Sequence, residues 1–142
     1  MYYKKNNKGQ YWTGEDWTYS KALCRMYETF DEVCQTPKAG RIQMDKPPAD
    51  DVFNCIKNLS SDSGLILKYW SKKEMWYEMQ LGEIQIRVHW NKNNDGFSIR
   101  TRIDHPTQGK SELWRNYATL AHVKQILINP RAHTGLPTQR IR

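Results

Sequence analysis

Cysteine is the scarcest informative residue. The 142-residue chain has three, Cys24, Cys34 and Cys55, and no two form a CxxC pair. Paired-cysteine zinc sites are therefore excluded, and an odd, widely spaced set makes no disulfide framework. The expectation is free, buried thiols in a reducing, cytoplasmic setting. No apolar run approaches the ~18 residues that cross a bilayer, and no signal-peptide core is present, so no membrane partner is expected. Internal repeats and low-complexity tracts are absent. So are an RNP motif, a GXXG clamp and a zinc finger, the short signatures of the common nucleic-acid modules.

Acidic residues are missing from one half only. Residues 1–83 hold 12 Lys/Arg and 12 Asp/Glu, whereas residues 84–142 hold 10 and 3, so the whole net charge of +7 lies in the second part. Such asymmetry points to a polyanion-facing region. It describes field and partner, not fold.

What is present is alternation. Ile84, Ile86, Val88 and Trp90 interleave with Glu83, Gln85, Arg87 and His89, a period of two that sends the sets to opposite sheet faces. Phe97, Ile99, Thr101 and Ile103 do the same with Ser98, Arg100 and Arg102. The Asn- and Gly-rich stretch 91–96 reads as the hairpin loop between them. If Trp90 faces Phe97, Arg87 sits opposite Arg100 and His89 opposite Ser98. Gly82 suits a two-residue turn that pairs Leu81 with Ile84 and Tyr77 with Val88, placing Trp76 and Glu78 beside His89 and Arg87. With a strand from Leu65 to Trp70, this predicts a four-stranded antiparallel meander.

Upstream, Tyr2–Lys5 and Gln10–Thr13 flank an Asn-Gly turn and read as a hairpin, with Ala22–Tyr27 as a third strand. The aromatics here, Tyr2, Tyr3, Tyr11, Trp12, Trp17 and Tyr19, are expected to form a small core. Thr29 caps a short helix with Glu32 three residues on, ending near Pro37, and Arg41–Met44 closes the lobe. Val52, Phe53, Ile56 and Leu59 give an amphipathic helix whose N-terminal end carries Asp50 and Asp51. It is expected to cover the apolar face of the meander. Thr119 begins a second helix with a Leu120, Val123, Ile126, Leu127 stripe, stopped at Asn129-Pro130. The fold class is α+β: residues 1–47 form a small aromatic-rich ββ(β)αβ lobe, 48–130 hold the helix, meander and helix, and 131–142 are a flexible basic tail. The Pro47-Pro48 pair marks the boundary.

Three chemistries compete for this frame. The first is a non-catalytic nucleic-acid or nucleoprotein surface. Trp76, Arg87, His89, Arg100 and Arg102 would form its centre, with Lys110, Arg115, Arg131, Arg140 and Arg142 tracking phosphates. Guanidinium supplies bidentate phosphate contacts and stacking planes. The second is a small metal-dependent nuclease. Asp104-His105 at a strand end, then Asn116, then His122 on a helix resembles, over about 20 residues, the ββα-metal nucleases, whose His base is oriented by Asn beside a divalent metal. The glycine pair and cysteines common in that family are missing. A metal-free ribonuclease using His105, Lys110 and Arg102 is the variant of this reading. The third is an inhibitor that binds a protein target. Small size and exposed Trp, Tyr and Arg fit the build of phage accessory proteins such as anti-CRISPRs. The expectation is the first: a binding protein, without cofactor or metal.

Overall fold

A computed structural model describes residues 1–36, 39–107 and 109–134; the side chain of His105 lies outside that description. The expectations for Pro37 and for residues 135–142 of the tail, Arg140 and Arg142 included, also fall outside it. The protein is α+β, with two antiparallel sheets and three α-helices among the described residues. It divides into two compact units. One is Met1–Lys46 together with Asn91–Gly96; the other is Pro47–Trp90 together with the described residues from Phe97 onward.

The first unit holds β1 (Tyr2–Lys5), β2 (Tyr11–Trp12), β3 (Trp17–Thr18), α1 (Phe30–Cys34) and β4 (Arg41–Met44), in sheet order β3-β2-β1-β4. Asn6 shapes the first turn: its Oδ1 accepts from the Lys8 and Gln10 N–H groups at 3.0 and 2.9 Å. The third strand is not Ala22–Tyr27. Lys21–Leu23 forms a 3-10 turn, and only Tyr27 bridges, to Tyr2. The strand role passes to Trp17–Thr18, because Thr13 Oγ1 donates to Asp16 Oδ1 at 2.7 Å and closes a tight turn. That turn brings the Trp12 and Trp17 rings to 5.3 Å. Of the six aromatics expected in the core, only Tyr2 and Tyr3 are buried, joined by Tyr27, Val33 and Met44; Tyr11, Trp12 and Trp17 are half-buried and Tyr19 is 70% exposed. Thr29 caps α1 as expected, accepting from the Glu32 N–H at 3.1 Å. Loop 91–96 is tied into this unit: the Met44 N–H donates to Asn94 O, and the Gln43 side-chain amide to Asn93 O, both at 2.7 Å.

The second unit holds α2 (Ala49–Asp62), β5 (Ile66–Ser71), β6 (Trp76–Leu81), β7 (Ile84–Trp90), β8 (Phe97–His105), β9 (Gly109–Ala118) and α3 (Leu120–Ile128). The sheet runs β5-β6-β7-β8-β9, so the meander has a fifth strand beyond the four read from the sequence. The register is the one the alternation specifies: Leu81 opposite Ile84, Tyr77 opposite Val88, Arg87 opposite Arg100, Trp90 opposite Phe97. A one-residue slip would turn every apolar side chain to the wrong face, which is why the pattern fixes the pairing.

The inner face is buried. Tyr77, Met79, Ile84, Ile86, Val88, Phe97 and Ile99 are at most 1% exposed. Helix α2 packs there through Val52 and Ile56, with Phe53 beside Tyr77 at 6.5 Å. Leu59 is half-buried, and Ser60 extends the stripe past it: Ser60 is buried, with Oγ 3.0 Å from the Met79 sulfur. Ser63 Oγ donates to Leu127 O at 2.5 Å, linking α2 to α3. Cys24 and Cys55 are only partly buried and Cys34 is exposed, contrary to the expectation of buried thiols. In α1 the adjacent Val33 takes the inward position. The described residues include no helix long and apolar enough to cross a membrane.

Candidate nucleic-acid interface

The outer face of the five-stranded sheet is assembled by register. Pairings place Tyr69, Glu78, Arg87, Arg100 and Trp114 in one row across all five strands. A second row carries Gln80, Gln85, Arg102 and Glu112, and a third Ser71, Trp76, His89 and Ser98. These positions remain partly or largely exposed, apart from Ser98, while their neighbours along each strand are buried in the inner face of β6, β7 and β8.

Each central guanidinium lies against a ring and a carboxylate. Arg87 donates to Glu78 Oε1 from Nη2 at 3.0 Å and from Nε at 3.3 Å, and its Cζ lies 5.9 Å from the Trp76 ring centre. Arg100 has its Cζ 5.7 Å from the Trp114 ring centre. Its Nε faces Glu112 Oε1 at 3.6 Å, too long for a hydrogen bond, and that buried Nε has no hydrogen-bond partner among the described residues. Cation–ring stacking fixes the guanidinium plane, so its edge N–H groups point in set directions, those of Arg87 already donating to Glu78. Arg102 has no ion pair among the described residues. Lys110 stands 4.0 Å from Asp104, an exposed pair of small energetic weight.

The sequence did not single out Trp114 or Tyr69. Trp114 is 55% and Tyr69 63% exposed, and both share the face with the arginines. The signal was the period-two run Lys110, Glu112, Trp114, Asn116 against Ser111, Leu113, Arg115. It is muted because Ser111 and Arg115 in the second set are polar while the first set holds Trp114.

Two expected members lie elsewhere. Arg115 pairs with Ile99 on the opposite face, the one packed by helices, and joins Leu113, Ile126 and His133 around a small cavity of about 190 Å³. Beyond Arg115 the ladder is broken by a bulge in β9. Phe97 pairs with Ala118 and Ile99 with Arg115, leaving an extra residue in β9, with Tyr117 at φ 59°. Arg131 lies in the 3-10 turn after α3, 4.0 Å from Glu83.

Of the four residues of the nuclease resemblance, Asp104, Asn116 and His122 are not brought together, and the side chain of His105 lies outside the described residues. Asp104 pairs with Lys110 near one end of the β8–β9 ladder. Asn116 accepts from Ser98 Oγ at 2.8 Å near the other end. Six residues of strand separate Ser98 from Asp104, roughly 20 Å. His122 serves the start of α3 instead. Its Nδ1 accepts the Thr119 N–H at 3.1 Å, while its own N–H donates to Thr119 Oγ1 at 3.3 Å, closing a capping box. Burial, and secondarily the Arg115 guanidinium, hold its pKa below the ordinary value of 6.5. Among the described residues no group of three His, Cys, Asp or Glu side chains is placed to hold a metal.

No family model matches this chain, and no curated protein or solved structure matches it.

Proposed function

We propose that the protein binds single-stranded nucleic acid, alone or within a nucleoprotein complex, on the outer face of the five-stranded sheet. The observation that carries this is the row Tyr69, Glu78, Arg87, Arg100, Trp114, in which rings and guanidiniums lie side by side on one exposed surface. Bases stack on such rings with little regard to sequence, while arginines meet phosphates. A gently twisted sheet face suits a splayed single strand, whereas the common readers of duplex DNA insert a helix or ribbon into the major groove.

The carboxylates set the terms. Glu78 and Glu112 neutralise Arg87 and Arg100 in the free protein, so a phosphate must displace them. Fluorescence anisotropy with a labelled oligonucleotide tests this. Arg100→Ala is expected to weaken binding about tenfold, the scale of one lost stacking or phosphate contact. Arg102→Ala should flatten the salt dependence by about 0.7 in log–log slope. Glu112→Gln should tighten binding several-fold, because it removes the competing acid. Wild-type protein that shows no anisotropy change at low salt sinks the proposal.

One observation favours a protein target instead. Ile66 and Tyr69 on edge strand β5 are 64% and 63% exposed, the apolar content of a protein-facing patch. The inhibitor reading predicts a stoichiometric protein partner after affinity purification, lost in the double variant Ile66→Ser, Tyr69→Ser.

A further inference from the structure

Within the first unit a polar cleft of about 390 Å³ opens between β1, β4 and loop 91–96. Lys5, Arg41 and Lys92 line it, and no acidic residue among the described residues does. Lys5 and Arg41 are directly opposite each other in the β1–β4 register. Like charges at that position repel across a sheet. None of the three cations has an ion pair among the described residues. The third cation is brought there by construction: the Gln43 amide holds Asn93 O, and the Met44 N–H holds Asn94 O. Asn7 and Asn93 also line the cleft, and their side chains make no hydrogen bond among the described residues.

We infer that this cleft is a phosphate-binding site, with Lys5, Arg41 and Lys92 supplying charge and the Asn7 and Asn93 amides supplying directed donors. Three cations and two amides around one opening match the charge and the several acceptor oxygens of a phosphate. Among the described residues no aromatic ring lines the cleft, so it grips the phosphate and not a base. The inference concerns a different surface from the sheet face and does not depend on it. The phosphate can come from a free phosphorylated molecule or from a nucleic-acid backbone.

Backbone amide NMR titration of the full chain distinguishes these sources, with pyrophosphate as one probe and a short single-stranded oligonucleotide as the other, both in the Arg100→Ala background. Saturable shifts at Asn7 and Asn93 with pyrophosphate support the site and a free phosphorylated ligand. Shifts there with the oligonucleotide alone support the site and a backbone phosphate. In K5Q/R41Q/K92Q the dissociation constant for the active probe should rise at least tenfold. Lys92→Gln, a single change on an exposed loop, should raise it about threefold and guards against misfolding of the triple variant. Absence of shifts at Asn7 and Asn93 with both probes at millimolar concentration, or unchanged affinity in Lys92→Gln, overturns the inference.

Discussion

Tyr77 is fully buried beside Phe53, yet its hydroxyl has no hydrogen-bond partner among the described residues. A buried hydroxyl without a partner costs about 1–3 kcal/mol of desolvation. Tyr77→Phe keeps the ring and removes that cost. It is expected to raise stability by about 1 kcal/mol and the melting temperature by about 3 °C, read by thermal unfolding. A lower melting temperature would show that the hydroxyl is satisfied. Individual residues differ in how far the sequence announces them. Arg87, Arg100 and Trp76 follow from counting by twos once Gly82 and loop 91–96 fix the pairing. The carboxylates facing those arginines follow less readily: Glu78 reads out of the same count, but Glu112 requires knowing that β9 exists.

Among the elements, α3 and β9 carry the lesson. The stripe on α3 was legible, and so was Thr119 at its start. The return half of the cap was not, because His122 stands where Glu or Gln ordinarily does. Only the neutral imidazole can accept the Thr119 N–H through Nδ1. Its pKa is lowered in the folded state, so the folded chain binds that proton less readily than the unfolded chain. The contribution of this cap is therefore complete above pH 6.5, the ordinary histidine value, and is lost as pH falls through the lower folded value. Denaturant unfolding of wild type and His122→Ala between pH 7.5 and about 4.5 should show their stability difference shrinking with acidity. A constant difference would mean that the imidazole does not act as the acceptor. Thr119→Ala should cost about 1 kcal/mol at neutral pH. Strand β9 escaped the sequence reading for another reason. As an edge strand it is exposed from Glu112 to Tyr117, so neither face is apolar enough to show the period.

For the molecule as a whole, the charge count by halves located the sheet-face arginines but hid the cleft in the first unit. Lys5 and Arg41 sit in a stretch whose charges cancel on paper, and their grouping appears only when β1 pairs with β4. The α+β class was legible because hairpins and helical stripes are local signals. The composition of the first unit was not, because it joins residues 50 positions apart. A fragment of residues 1–46 is expected to lack cooperative unfolding in a thermal melt, since the Met44 N–H and the Gln43 amide lose their acceptors. A sharp transition in that fragment would show that loop 91–96 is dispensable. The same discontinuity bears on synthesis. Ribosomes deliver the chain from its N-terminus at about 5–20 residues per second. The sheet of Tyr2–Met44 must therefore wait several seconds, with its last amides in water, until the turn at Asn93 and Asn94 clears the exit tunnel.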